Sequence, residues 1–72
     1  MDKQDRIIKL FESMGYTQPY IDSHKFWYSK GDIQLSYDFN NDIFTVYQII
    51  KGEQKLVYKS HYPTQIEIRE HI

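Results

Sequence analysis

The hydrophobic period of this chain changes partway along it, and that change restricts the fold more than any other feature. Ile7, Leu10, Phe11 and Met14 fall at i, i+3, i+4 and i+7, with Ile8 beside them, which is the stripe of an amphipathic helix. Further on, Ile33, Leu35, Tyr37 and Phe39 alternate with Gln34, Ser36 and Asp38, the period-two signature of a half-buried strand. Turn signals at Lys30-Gly31-Asp32, Asn40-Asn41-Asp42 and Lys51-Gly52-Glu53 cut the region into strands over about residues 25–29, 33–39, 43–50 and 55–60. Loops this short join antiparallel neighbours, because parallel pairing needs a long crossover. The pattern predicts an α+β fold: an N-terminal amphipathic helix packed on a four-stranded antiparallel meander sheet, with a short C-terminal helix or strand.

The ends of the elements carry their own signals. Asp2 or Asp5 can cap the first helix and favour the positive end of its dipole. Gly15 stands where a left-handed residue ends a helix, and Tyr16 can then reverse onto Phe11. The helix is expected over about residues 3–14. Residues 17–24, containing Pro19, show no regular pattern and read as a connector. After Pro63, the run Thr64-Gln65-Ile66-Glu67 fits a capping box, and Ile68 and Ile72 lie about one helical turn apart. The stretch from Gln65 to Arg69 also alternates like a strand; the capping box favours helix.

Residues 1–72 have room for a single domain, and a chain of this size buries only roughly 60% of the surface its unfolded form exposes. With no cysteine there is no disulfide or thiolate metal site to hold it, so stability has to come from an apolar core or from association. Seven Tyr, four Phe, one Trp and ten Ile supply enough large side chains for that core. Nine basic and ten acidic side chains are scattered, leaving a formal net charge of −1. That distribution argues against nucleic acid as a partner, since nucleic-acid binders concentrate Lys and Arg on one face. No apolar run approaches the ~20 residues that span a bilayer, and Met1-Asp2-Lys3-Gln4-Asp5 has no signal-peptide character, so a cytoplasmic location without membrane is the default.

Strand register decides which side chains share a face. A two-residue turn at Lys30-Gly31 sets Tyr28 opposite Ile33 and Phe26 opposite Leu35, turning Trp27 to the other face opposite Gln34. For the next hairpin, a three-residue loop at Asn40-Asn41-Asp42 places Ile43, Thr45, Tyr47 and Ile49 on the Leu35 face. A two-residue turn at Asn40-Asn41 places Phe44, Val46, Gln48 and Ile50 there instead. With a loop at Gly52-Glu53, the three-residue choice gathers Phe26, Tyr28, Ile33, Leu35, Tyr37, Phe39, Ile43, Tyr47, Ile49, Leu56 and Tyr58 beneath the helix, and is preferred for that reason. The opposite face then carries Trp27, Phe44, Val46, Ile50 and Val57 among Gln34, Ser36, Gln48 and Lys59. One helix covers one face. The second is left to the C-terminal segment, to another copy or to a partner, and a large uncovered apolar patch marks an interaction site. Trp27, Phe44, Val46, Ile50 and Val57 are therefore the candidate protein-binding residues.

Candidate chemistry is sparse. On a helical tail Glu67 and His71 share a face and offer two metal ligands, but a structural zinc site wants about four. No metal or cofactor is expected. Ser23-His24 and Ser60-His61 are adjacent pairs, and neighbours in an extended segment point to opposite faces, which works against a nucleophile–base contact. There is no glycine-rich phosphate loop. No catalytic residue is assigned, and the chain is not expected to be an enzyme. Phe26-Trp27-Tyr28 invites comparison with sheets that stack single-stranded nucleic acid, but the accompanying Lys and Arg groove is missing. The expectation is a non-enzymatic protein-binding module acting through an aromatic sheet face or edge, its partner another protein or a second copy of itself in a homodimer. The chain lacks alanine and has two Arg against seven Lys, usage that fits an AT-rich genome. A small inhibitor or accessory factor from a phage or mobile element of a low-GC bacterium is one form such a module takes.

Overall fold

The computed structural model describes residues 2–72, and their side chains except at positions 18 and 19. Helix α1 (Lys3–Ser13) is followed by strands β1 (Thr17–Ile21), β2 (Lys25–Lys30), β3 (Ile33–Asp38), β4 (Ile43–Ile50) and β5 (Glu53–His61), then helix α2 (Gln65–His71). The strands form one antiparallel sheet in the order β1-β2-β3-β4-β5. The expected α+β meander is present with one strand more. The extra strand, β1, comes from the stretch read as a connector. It lies at a sheet edge, and its ladder to β2 is irregular between Thr17 and Tyr20. A short edge strand tolerates a proline, which has no N–H to donate, but such a strand leaves no alternation to read.

Both ends of α1 follow the sequence signals. The Asp2 carboxylate accepts the Asp5 N–H at 2.9 Å and caps the first turn. Gly15 takes φ 91°, its N–H donates to Glu12 O and the Tyr16 N–H donates to Phe11 O, both at 3.1 Å. These are the two bonds of a Schellman ending. Lys30 Nζ donates to Met14 O at 2.9 Å, placing a cation at the negative end of the helix dipole.

The tail is a helix, as the capping box implies: Thr64 Oγ1 accepts the Glu67 N–H at 3.1 Å. Its Ile68 enters the same core as Ile7, Leu10 and Phe11 of α1, against Phe26, Tyr28, Leu35, Tyr37, Phe44 and Val46 of the sheet. Both helices therefore lie on one face. The Phe11 ring meets Tyr28 edge-on at 5.2 Å and Phe44 at 5.9 Å. Tyr58 ties α2 to β5, its hydroxyl donating to the Glu67 carboxylate and its ring stacking on His71 at 3.6 Å.

Register departs from expectation in all three hairpins, β4–β5 turning on Lys51-Gly52 rather than Gly52-Glu53 so that Ile49 faces Gln54. Hairpin β2–β3 turns on Gly31-Asp32, so Tyr28 faces Leu35, Phe26 faces Tyr37 and Trp27 faces Ser36. That is a slip of two residues, which leaves every side chain on its expected face. Hairpin β3–β4 differs in kind. Asp38 pairs with Ile43, so Tyr37 faces Phe44 and Leu35 faces Val46. Phe44 and Val46, 0% and 2% exposed, thus belong to the helix-covered core rather than to the second face. Ile43, Thr45, Tyr47 and Ile49 change places with them. The cause is the Asp38 side chain. Its Oδ1 accepts the N–H groups of Asn40 and Asn41 at 3.0 and 3.1 Å, and its Oδ2 accepts Asn41 Nδ2 at 3.0 Å. These bonds close the loop over residues 39–42.

A second local feature reorders β5. Val46 pairs with Tyr58 and Tyr47 with Leu56, leaving Val57 as the extra residue of a β-bulge. The bulge reverses the alternation, so Tyr58 packs toward the core while Leu56 faces the other side. Ile50 ends β4 on the helix side, exposed, and Val57 is exposed at the β5 edge. Of the five residues assigned to the second face, only Trp27 projects squarely from it.

Candidate functional site

With α1 and α2 on one side, the other side of the sheet is bare. Trp27 sits there between Tyr20 of β1, ring centroids 6.1 Å apart, and Tyr47 of β4, 5.9 Å apart, with interplanar angles of 22° and 25°. Leu56 extends the row as the cross-strand partner of Tyr47. Trp27 and Tyr47 are two strands apart, so their rings meet by leaning over β3. That cover leaves Ser36 only 1% exposed although it projects from the bare face. Lys25 Nζ lies 5.6 Å from the Trp27 ring centroid, a cation–π contact. The indole N–H of Trp27 is shut off from water and has no hydrogen-bond partner among the described residues.

Beside the row lies a hollow of about 170 Å³. Ser36 and Thr45 line its floor, Ile43, Tyr47 and Leu56 supply apolar walls, and Lys25 and Lys59 stand at its sides. Its one carboxylate is Asp38. Burial pushes the Asp38 pKa up, but the hydrogen bonds from the Asn41 side chain and the Asn41 and Asn40 backbone outweigh it, holding the group below the ordinary carboxylate value. Asp38 thus stays ionised but spends its oxygens on the loop.

The sequence places Trp27 on this face, and the structure sets Tyr20, Tyr47 and Leu56 beside it. Tyr20 lies in the unrecognised edge strand, Tyr47 reaches this face only because of the Asp38 loop, and Leu56 only because of the bulge at Val57. The Asp-x-Asn-Asn run at residues 38–41 is the signal that could have exposed the register, since an aspartate that bonds the backbone two and three residues on starts a turn at itself.

The catalytic and metal candidates resolve into structural contacts. Ser23 Oγ and His24 Nδ1 do meet, at 3.0 Å, because residues 22–24 form a bend closed by the Asp22 N–H donating to Lys25 O at 2.8 Å. The extended geometry that would have separated them is absent. Among the described residues no carboxylate hydrogen-bonds this imidazole; Asp38, whose oxygens serve the loop, interacts with it only electrostatically. Ser60 Oγ donates to the His61 backbone oxygen instead of reaching the ring. Glu67 and His71 are both engaged by Tyr58, and no group of three or more metal-ligating side chains is gathered among the described residues. Among these residues no helix is long and apolar enough to cross a membrane.

No protein-family model matches the chain, and no curated protein or solved structure matches it.

Proposed function

We propose that this chain is a non-enzymatic protein-binding module that docks through its bare sheet face. The observation that carries the reading is the placement of both helices on one face, with the row Tyr20, Trp27, Tyr47 and Leu56 on the other. Trp and Tyr are the usual anchors of protein interfaces, where a few buried aromatics dominate the binding energy. The hollow beside Tyr47 admits one apolar side chain of a partner. Lys25 and Lys59 give its edges positive charge, and the only carboxylate there is committed to a loop. The complementary partner presents an apolar anchor flanked by carboxylates. A second copy packed face to face would set these lysines against a face of the same sign, so a different protein fits better than a homodimer. Two lysines also neutralise too few phosphates to hold a nucleic-acid strand there. Docking of this kind covers a surface of the partner, which suits an inhibitor or accessory factor.

The test compares wild type with Trp27→Ala, Lys59→Glu and, as a helix-side control, Ile66→Ala, a side chain 72% exposed on α2. All four should remain folded by circular dichroism. The same host protein should be retained by wild type and Ile66→Ala and lost by Trp27→Ala and Lys59→Glu. Retention that ignores Trp27 and Lys59, or that Ile66→Ala abolishes, refutes the proposal.

A further inference from the structure

The chain has two arginines, Arg6 and Arg69, near opposite ends of the sequence. Both line one groove between α1 and α2, together with Lys9, Leu10, Ser13 and Gln65. Helical spacing brings them there: Arg6, Lys9, Leu10 and Ser13 follow i, i+3, i+4, i+7 on α1, while Gln65 and Arg69 are i, i+4 on α2. Leu10 of α1 and Ile68 of α2 are both buried in the shared core beneath the groove. No carboxylate lines the groove. The ion pair formed among the described residues joins Lys3 to Asp42 at 2.8 Å and leaves Arg6, Lys9 and Arg69 without an acidic partner.

This arrangement is unusual for a chain with ten acidic side chains to nine basic ones. Three exposed cations line the groove and no acid does, and an anion between them would offset their mutual repulsion. The planar fork of arginine matches the oxygen pairs of a tetrahedral oxyanion, and lysine adds a point charge. The Gln65 amide contributes a neutral donor, whereas the Ser13 hydroxyl already donates to Leu10 O at 2.8 Å.

We propose that the groove between α1 and α2 binds the phosphate group of a small phosphorylated molecule. Its volume of about 290 Å³ is close to the lower limit of small-molecule sites and holds a phosphate with a modest remainder. A nucleic-acid strand would need free cations continuing beyond the groove, but the neighbouring Lys3 is paired with Asp42, Lys30 is bonded to Met14 O, and Lys25 and Lys59 project from the other face of the sheet. The site is independent of the docking face.

The experiment is a titration of the ¹⁵N-labelled protein with inorganic phosphate, with ionic strength held constant by sodium chloride. Saturable shifts are expected at Arg6, Lys9, Gln65 and Arg69, with a rise in melting temperature because the ligand binds the folded state alone. Arg6→Gln and Arg69→Gln should each weaken phosphate binding about 10-fold or more, since each removes charge-assisted hydrogen bonds. Lys55→Gln, on an exposed part of β5, should leave it unchanged. All three variants alter exposed side chains, and dispersed amide spectra will report that they are folded. Shifts that chloride reproduces, meaning an adventitious ion only, overturn the proposal. So does equal phosphate binding in all three variants, or a short oligonucleotide that binds while phosphate leaves the groove unshifted.

Discussion

Phe44 and Tyr47 lie on the same strand but project from opposite faces, so truncating each in turn tests the register of the sheet. Phe44 is fully buried, its ring 5.9 Å from Phe11 of α1 and 6.3 Å from Tyr58 of β5. Removing it strips contact from a helix and from two strands together. A buried Phe→Ala change costs ~3–5 kcal/mol through lost transfer energy and the cavity left behind. A chain of 72 residues has a total stability of roughly 4–11 kcal/mol, so Phe44→Ala removes between about a quarter and all of it. Tyr47 is partly exposed, and its truncation forfeits mainly the ring contact with Trp27, about 0.5–1.5 kcal/mol beyond the area lost. Urea unfolding followed by far-ultraviolet circular dichroism is the appropriate assay, because Tyr47 touches the only tryptophan and would alter its fluorescence directly. With a slope of about 1 kcal/mol per molar urea, Phe44→Ala should lower the midpoint by ~3 M or abolish folding, and Tyr47→Ala by ~1–2 M. Greater damage from Tyr47→Ala would refute the register, for that is the result the three-residue loop at Asn40-Asn41-Asp42 demands.

Further tests address the turns and the ionised groups. Lys51 and Gly52 have φ 53° and 79°, the two positive angles of a type I′ hairpin turn, so Lys51→Asn should relieve part of the ~1–2 kcal/mol cost of a left-handed lysine; a melting temperature at or below that of wild type argues against this turn. Gly15→Ala forces a Cβ onto φ 91° and sets it 3.4 Å from Lys30 Nζ, which should cost ~1–2 kcal/mol; an unchanged melt would mean the helix does not end there as described. Asp38 and Asp42 are each pushed up by burial but held below the ordinary 3.8, Asp38 by the Asn41 and Asn40 hydrogen bonds and Asp42 by those from Lys3 and Tyr37. Their contribution is present above that value and is lost as pH falls below it through the folded pKa values, so stability should drop in this range and the acid slope should shrink in Asp38→Asn; equal slopes in urea melts between about pH 2 and 5 would count against it.

What the sequence made legible depended on where the determining residue lay. Helix α1 was readable because its caps, Asp2 and Gly15, stand beside the apolar stripe they delimit, and α2 because Thr64 and Glu67 form its first turn. The sheet faces were harder. An error of two residues in the β2–β3 turn was harmless, since a period of two returns each side chain to its own face. An error of one in β3–β4 exchanged Phe44 and Val46 for Tyr47, and it arose from a single carboxylate. Apolar content could not arbitrate, because β4 carries large apolar residues on both faces: Ile43, Tyr47 and Ile49 on one, Phe44, Val46 and Ile50 on the other. The Val57 bulge left no compositional trace, yet it alone separates Leu56 from Tyr58. Strand β1 escaped because its few paired residues give no period to detect. Trp27 faces away from the helices because its neighbours Phe26 and Tyr28 both enter the core, a constraint that no loop geometry undoes.

The bare face also bears on what docking there would cost. An aromatic row that were mobile in the free protein would lose side-chain freedom on binding, about 0.5–1.5 kcal/mol for each immobilised rotamer-rich side chain. Here the ring of Trp27 is already held between Tyr20 and Tyr47, and its indole face is approached by the Lys25 ammonium. Beneath the rings, Ser36 and Thr45 are buried, 1% and 6% exposed, so the centre of the face is packed before any partner arrives. The exposed members of the row are Tyr20 and Leu56 at its two ends, with 56% and 59% of their surface open. Under the proposed docking, a partner would meet a pre-organised centre and would gain new apolar burial mainly at the ends and in the hollow between Tyr47, Leu56 and Lys59. Lys25 and Lys59 flank the apolar centre, and charges so placed work against the indiscriminate sheet-to-sheet association that an uninterrupted apolar face would invite.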